Sequence, residues 1–176
     1  YHYLFGEDLL VAPILRPGGE RTVSLPEGSW RYWFDDGAVI AGPTELSRAY
    51  PLDEYPVFVR EGAIIPMNIS RDYTGIGSTE SAGRITFNIY PAASGELTYH
   101  PVDGSPSCEI TMTMDDTLRL AMQGNPPPYL LRIRWPQAPV SITFNDQPVA
   151  PDAWRFSDGH VVLTPDDAAS GVWEIR

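Results

Sequence analysis

The feature that most constrains this chain is a period of two. Ile85, Phe87 and Ile89 alternate with Thr86 and Asn88, and Cys108, Ile110, Met112 and Met114 alternate with Glu109, Thr111 and Thr113. Tyr129, Leu131, Ile133 and Trp135 alternate mostly with Arg132 and Arg134, and Val140, Ile142 and Phe144 repeat the pattern. Successive side chains of a strand point to opposite faces, so such runs predict strands with one apolar and one wet face. No segment sustains a spacing of three to four with capping residues. The best helix candidate, Thr44–Arg48, is too short to hold alone.

Turn residues punctuate the alternation at Pro17-Gly18-Gly19, Pro26-Glu27-Gly28, Asp35-Asp36-Gly37, Asp103-Gly104, Asn145-Asp146 and Asp158-Gly159. Asp158-Gly159, between Trp154–Phe156 and Val161–Leu163, predicts a hairpin. The pattern gives roughly fifteen short strands, more than one simple sandwich needs. We expect an all-β chain of two consecutive antiparallel β-sandwich domains. A composition shift from Asn68 to Gly83, rich in Ser, Thr and Gly, marks the boundary as a linker or long loop (68–83). The first unit is expected from Pro13 to Met67 and the second from Arg84 to Arg176.

Composition narrows the partners. With 176 residues and 43% hydrophobic residues, the chain can bury a core without disulfides or metals. The net charge of −11 argues against nucleic acid and against an anionic membrane surface, both of which need clustered Lys and Arg. No stretch approaches the ~18 apolar residues of a membrane-spanning helix. Cys108 is the single cysteine, so no internal disulfide forms. The chain begins at Tyr1, without Met and inside an apolar run, and reads as a piece of something longer.

Three stretches carry a resemblance. Tyr3-Leu4-Phe5-Gly6-Glu7-Asp8-Leu9-Leu10-Val11-Ala12-Pro13 is the first, and Leu25-Pro26-Glu27-Gly28-Ser29-Trp30-Arg31-Tyr32-Trp33 the second. The third is Pro51-Leu52-Asp53-Glu54-Tyr55-Pro56-Val57-Phe58-Val59-Arg60-Glu61-Gly62-Ala63-Ile64-Ile65-Pro66. In this order and spacing they resemble the part of glycoside hydrolase family 31 that follows the catalytic barrel. Further on, Tyr99, Asp103 and Gly104 are similar to parts of the family's distal-domain Tyr-Glu-Asp-Asp-Gly turn, which here reads Tyr99-His100-Pro101-Val102-Asp103-Gly104. The resemblance implies a barrel-exit segment (1–12), a proximal β-sandwich (13–67) and a distal β-sandwich (84–176). It also implies an upstream (β/α)8 barrel in the same polypeptide, of α-glucosidase or α-xylosidase type. The residues agree with packing roles: Leu9–Ala12 reads as a strand covered on both faces, and Gly62 as a conformation that a side chain would oppose.

The resemblance implies a retaining mechanism with two carboxylates, the nucleophile lying in a Trp-x-Asp-Met-Asn-Glu type string. No such string occurs; Met67-Asn68 has Pro66 before it and Ile69 after it. The pairs Asp35-Asp36, Asp115-Asp116 and Asp166-Asp167 all fall at predicted turns, where Asp is a natural turn residue. His2, His100 and His160 show no zinc spacing with Cys108. No Gly-x-Ser-x-Gly elbow and no phosphate-cradling glycine loop is present. We therefore expect no catalytic, cofactor-binding or metal-ligating residue here. Asn68-Ile69-Ser70 fits an N-glycosylation triplet. Aromatic residues are the remaining lead, because ring faces stack on sugars. Trp30, Tyr32 and Trp33 cluster, and Trp135, Trp154 and Trp173 lie in separate strands. Trp135 and Trp154 follow the inward phase and are expected in the core. Trp30, Tyr32 and Phe34 share a face opposite Trp33, for which interface packing is expected. The leading expectation is a non-catalytic accessory region packed on the barrel; the alternatives are a carbohydrate-binding module and a structural sandwich.

Overall fold

The computed structural model describes residues 1–15, 19–35, 37–51, 54–69, 79–165 and 169–176. The fold is all-β: sixteen strands and one 3-10 turn (Thr79–Ser81) are present among those residues. The chain divides into two compact units, Tyr1–Glu61 and Gly62–Arg176.

The first unit is built on one five-stranded antiparallel sheet. Its strands are β1 (Tyr3–Phe5), β2 (Leu9–Val11), β3 (Glu20–Tyr32), β4 (Ile40–Ala49) and β5 (Val57–Arg60), ordered β1-β2-β5-β3-β4. One face carries the core of Leu10, Val23, Leu25, Trp30, Tyr32 and Phe58, with Ala12 and Tyr50 beside it. Thr44–Arg48, the helix candidate, lies inside β4. Its pairing with β3 (Val23↔Leu46, Leu25↔Thr44) turns alternate side chains to the core, and cross-strand pairing outweighs a weak local preference. Pro26-Glu27-Gly28 is likewise not a chain reversal. It is a bulge inside β3, where Leu25↔Thr44 and Gly28↔Gly42 step three residues on one strand against two on the other. The Trp30 indole Nε1 donates to the Pro26 carbonyl at 3.0 Å and closes the bulge.

The second unit is a sandwich of two sheets. Its strands are β6 (Ile64–Asn68), β7 (Ile85–Ile89), β8 (Ser94–Tyr99), β9 (Cys108–Met114), β10 (Leu118–Gly124), β11 (Tyr129–Arg134), β12 (Ile142–Phe144), β13 (Gln147–Pro148), β14 (Trp154–Ser157), β15 (His160–Leu163) and β16 (Gly171–Ile175). The six-stranded sheet runs β13-β12-β16-β10-β9-β8 and the five-stranded sheet β14-β15-β11-β7-β6. Pairing is antiparallel except between β7 and β11. Phe87, Ile89, Leu131, Ile133, Val161 and Leu163 of one sheet meet Ile110, Met112, Leu118, Leu120, Trp173 and Ile175 of the other. Two tight hairpins follow the turn chemistry: Asn145-Asp146 (φ 49° and 62°) joins β12 to β13, and Asp158-Gly159 (φ 51° and 71°) joins β14 to β15.

Three details depart from simple alternation. The division falls at Glu61–Gly62 rather than within 68–83, because β6 pairs along β7 from Ile64↔Ile89 to Asn68↔Ile85. Residues 70–78 of that stretch lie outside the described residues. Thr86 and Asn88 are buried, not wet: the Arg132 guanidinium donates to Asn88 Oδ1 at 2.9 Å, and Asn88 Nδ2 donates to the Tyr90 hydroxyl at 3.3 Å. Val140 precedes β12 and is exposed, so the inward phase there begins only at Ile142.

Candidate functional site

Of the titratable side chains weighed in the sequence, Asp35 and Asp115 bond within their own turns. Asp35 Oδ1 accepts the Gly37 amide at 2.8 Å, and Asp115 Oδ1 accepts that of Thr117 at 3.0 Å. Both contacts tie a carboxylate to its own turn. Asp36, Asp166 and Asp167 lie outside the described residues, as do Pro17, Gly18 and Ser70. Asn68 of the glycosylation triplet is exposed at the end of β6 and Ile69 is buried. His2 and His100 are exposed, whereas His160 is buried with Nδ1 2.7 Å from the Asp158 carbonyl oxygen and 3.2 Å from the Arg132 guanidinium. Cys108 is buried in the sandwich, and burial pushes its thiol pKa up. Among the described residues no three His, Cys, Asp or Glu side chains group as metal ligands would.

The aromatic lead divides. Trp30, Trp135 and Trp173 are core residues, and Trp173 Nε1 donates to the Tyr129 hydroxyl at 3.1 Å. Trp33 and Trp154 are half-buried, Trp154 packing against the second core. Tyr32 is buried and donates to the Glu54 carboxylate. Burial first, and that hydrogen bond second, raise its phenol pKa.

The first unit also holds two arginines directly opposite each other, Arg21 on β3 and Arg48 on β4. Like charges in that register repel. Arg48 answers by stacking over Tyr32 and Tyr50, 4.2 and 4.7 Å from the ring centroids, while Arg21 donates to the Tyr1 carbonyl. Asp8, at the β1–β2 turn of the first motif, has its pKa raised by burial, with the Arg60 guanidinium opposing the shift. Arg60 lies over the Trp30 ring at 5.0 Å. The motif residues thus hold one another.

The clefts on the described surface include three of note. One of about 510 Å3 lies in the second unit beside the Glu80–Arg155 ion pair, with Asp152 and Trp154 in its lining. A cleft of about 350 Å3 surrounds Arg21 and Arg48. The third, about 310 Å3, lies at one end of the second unit, where Tyr99 meets Arg84, Asp103, Asn68 and the prolines 127 and 128. Periodicity could not assemble this last group, because its members are spread over some sixty residues and meet only once the strands pair.

Fold and site together define β-sandwich domains whose recognised motifs serve packing. Residues 1–65 match the family model of the glycosyl hydrolase family 31 C-terminal domain, spanning the whole first unit and the start of β6. The isomaltosyltransferase of Sporosarcina globispora is 34% identical over 117 residues, covering 63% of this chain and 10% of its own length. The α-glucosidase of Saccharolobus solfataricus is 30% identical over 133 residues, covering 65% of this chain and 18% of its own. The cycloalternan-forming enzyme from Listeria monocytogenes, solved in complex with a pentasaccharide substrate, superposes with a TM-score of 0.82 at 25% identity. That match covers 99% of this chain and 18% of the enzyme's. The first unit thus carries the match to the glycosyl hydrolase family 31 C-terminal domain, and the chain as a whole is similar to part of these longer relatives. It spans a tenth to a fifth of the length of these relatives.

Proposed function

We propose that this chain is a non-catalytic accessory region of a family 31 glycoside hydrolase that cleaves α-glycosidic bonds in carbohydrate metabolism. In this reading it packs on an upstream (β/α)8 barrel of the same polypeptide and stabilises it. Residues 1–12 serve as the exit from the barrel, with the proximal and distal sandwiches following. The observation that carries the reading is the apolar surface of β1 beside the family-matched motifs. Tyr1 and Phe5 are 93% and 67% exposed, and Tyr3 and Leu4 about half exposed. Burying such a side chain stabilises by ~1.5–3 kcal/mol, so an edge strand exposing Tyr3 and Phe5 on one side and Leu4 on the other reads as a segment built to be covered. Trp33 is assigned to the same kind of contact.

The test replaces Leu4 and Phe5 with Ser, in the chain and in its parent enzyme. The chain should become less prone to aggregate, while the parent should lose activity faster on heating. An unchanged inactivation rate in the parent would count against barrel packing. The second reading, a carbohydrate-binding module, is favoured by the Tyr99 cleft, since the buried tryptophans offer no free ring face.

A further inference from the structure

We propose that the cleft at Tyr99 binds a single neutral hexopyranose unit, at the end of an α-glucan chain; the glucan part of this assignment rests on the function proposed above. The cleft sits where β7 begins, β8 ends and the proline run leads into β11. Its volume of about 310 Å3 lies at the small end of ligand pockets, roughly 300–1,000 Å3, which suits one sugar ring rather than a long chain.

The lining matches the two surfaces of a pyranose. Tyr99 and the two prolines supply a rigid apolar wall for the C–H face of the ring. Tyr99 meets Phe87 edge-on, with centroids 5.7 Å apart at 89°, so the wall is held in place before any ligand arrives. The rim supplies planar polar groups for hydroxyls. Arg84 uses one guanidinium nitrogen on the Glu80 carbonyl at 3.2 Å, and Asp103 Oδ1 accepts the Ser105 amide at 3.0 Å. Neither forms an ion pair among the described residues, and neither the Tyr99 hydroxyl nor the Asn68 amide has a side-chain hydrogen bond there.

Charge then decides the ligand class. Asp103 has its pKa lowered, chiefly by the Ser105 backbone hydrogen bond, so it is ionised at neutral pH and repels phosphate and carboxylate ligands. Arg84 repels cations. One positive, one negative and one amide group together offer donors and acceptors without net charge, which a neutral polyol satisfies. The two other clefts described above lack this combination. The Arg21–Arg48 cleft has no aromatic residue in its lining, and in the Glu80–Arg155 cleft the two opposite charges are already paired.

The experiment is a titration of the isotopically labelled chain, followed by amide chemical shifts. The probes are maltotriose and isomaltotriose, with inorganic phosphate and glucuronate as charged controls. We expect saturable shifts at Ile85, Tyr99 and Gly104, with half-saturation on the order of 1 mM, and none from the controls. Arg84→Gln and Tyr99→Ala should each weaken binding about ten-fold, the loss of one good contact. Because Tyr99 also packs on the core, the rim variant Arg84→Gln decides the matter if Tyr99→Ala fails to fold. No saturable shift with either glucan, shifts confined to another surface, or equal binding to wild type and Arg84→Gln would overturn the proposal. So would displacement of the glucan by phosphate. The two readings fail separately. An active parent α-glycosidase with a silent cleft sinks only the cleft, and a binding chain from an inactive parent sinks only the enzyme assignment.

Discussion

Gly62 offers a prediction whose size can be worked from two separable terms. It lies in the third family motif, has φ +95°, and donates its amide to the Tyr90 carbonyl at 2.7 Å. A Cβ there would stand 2.9 Å from the Ser94 carbonyl oxygen. Left-handed backbone costs a side chain about 1–2 kcal/mol, and forcing atoms into occupied space about 1–3 kcal/mol. Gly62→Ala should therefore destabilise the second unit by about 3 kcal/mol, on the order of a hundred-fold in the folded-to-unfolded ratio. Two controls in the same unit separate the terms. Gly104 has φ +79° with nothing within 4 Å of its Cβ position, so Gly104→Ala carries only the backbone cost of about 1–2 kcal/mol. Gly95 carries the space cost without a left-handed φ, since its Cβ would lie 2.2 Å from the Gly62 carbonyl oxygen and 2.6 Å from Met112 Cε. The double variant Gly62→Ala/Gly95→Ala should fall short of the sum, because both positions draw on one backbone approach. Urea unfolding followed by tryptophan fluorescence measures all four. A Gly62→Ala cost within about 0.5 kcal/mol of Gly104→Ala would refute the reasoning, because the space term would then be missing.

Other outcomes follow from the buried polar groups. Tyr129→Phe removes the acceptor of the buried Trp173 indole N–H and should cost about 1–3 kcal/mol in the same urea assay; a neutral result would mean the indole finds another partner. Tyr32 has its phenol pKa raised above 10.0 by burial and by the Glu54 hydrogen bond. The folded state therefore keeps a proton that the unfolded state gives up near pH 10, and this contribution, full below that pH, is lost as pH rises. Alkaline titration read at the tyrosinate absorbance should show a fraction of tyrosines ionising only with unfolding, and Tyr32→Phe should reduce that fraction. Cys108 should resist thiol reagents in native buffer and react at a rate that tracks unfolding of the second unit; fast native labelling would contradict its burial.

Much of the architecture was legible because strand pairing reuses local rules. Period-two runs became β7, β9 and β11, and Asn145-Asp146 and Asp158-Gly159 became hairpins, since both depend on residues within a few positions. Features set by distant partners were not legible. The polar side of β7 looked wet because alternation cannot show that Arg132, on a strand over forty residues away, will cover Asn88. Thr44–Arg48 looked weakly helical until β3 lay beside it, and Pro26-Glu27-Gly28 carries a turn's composition although its neighbours keep pairing through it. The aromatic residues as a group were the remaining sugar lead, although strand phase already placed Trp135 and Trp154 in the core, whereas Tyr99 drew notice only as part of a turn motif. Its cleft forms from β7, β8 and the approach to β11, and no local pattern encodes that meeting.

The family motifs gain a physical meaning. In the first unit Asp8, Arg60 and Trp30 come from all three motifs: the Arg60 amide donates to the Asp8 carbonyl at 2.9 Å, and the Arg60 guanidinium lies over the Trp30 ring. In the same unit Arg31 pairs with Glu61 and donates to the Gly37 carbonyl at 2.5 Å. Residues that look functional when read singly are holding strand ends together.

The most direct measurement is hydrolysis of a chromogenic α-glucoside and a chromogenic α-xyloside by this chain and by its full-length parent, at matched molar concentration. The account predicts turnover by the parent on at least one substrate and none by the chain. Turnover by the chain itself would contradict it, and the turn carboxylates Asp35, Asp115 and Asp116 would become the first residues to replace.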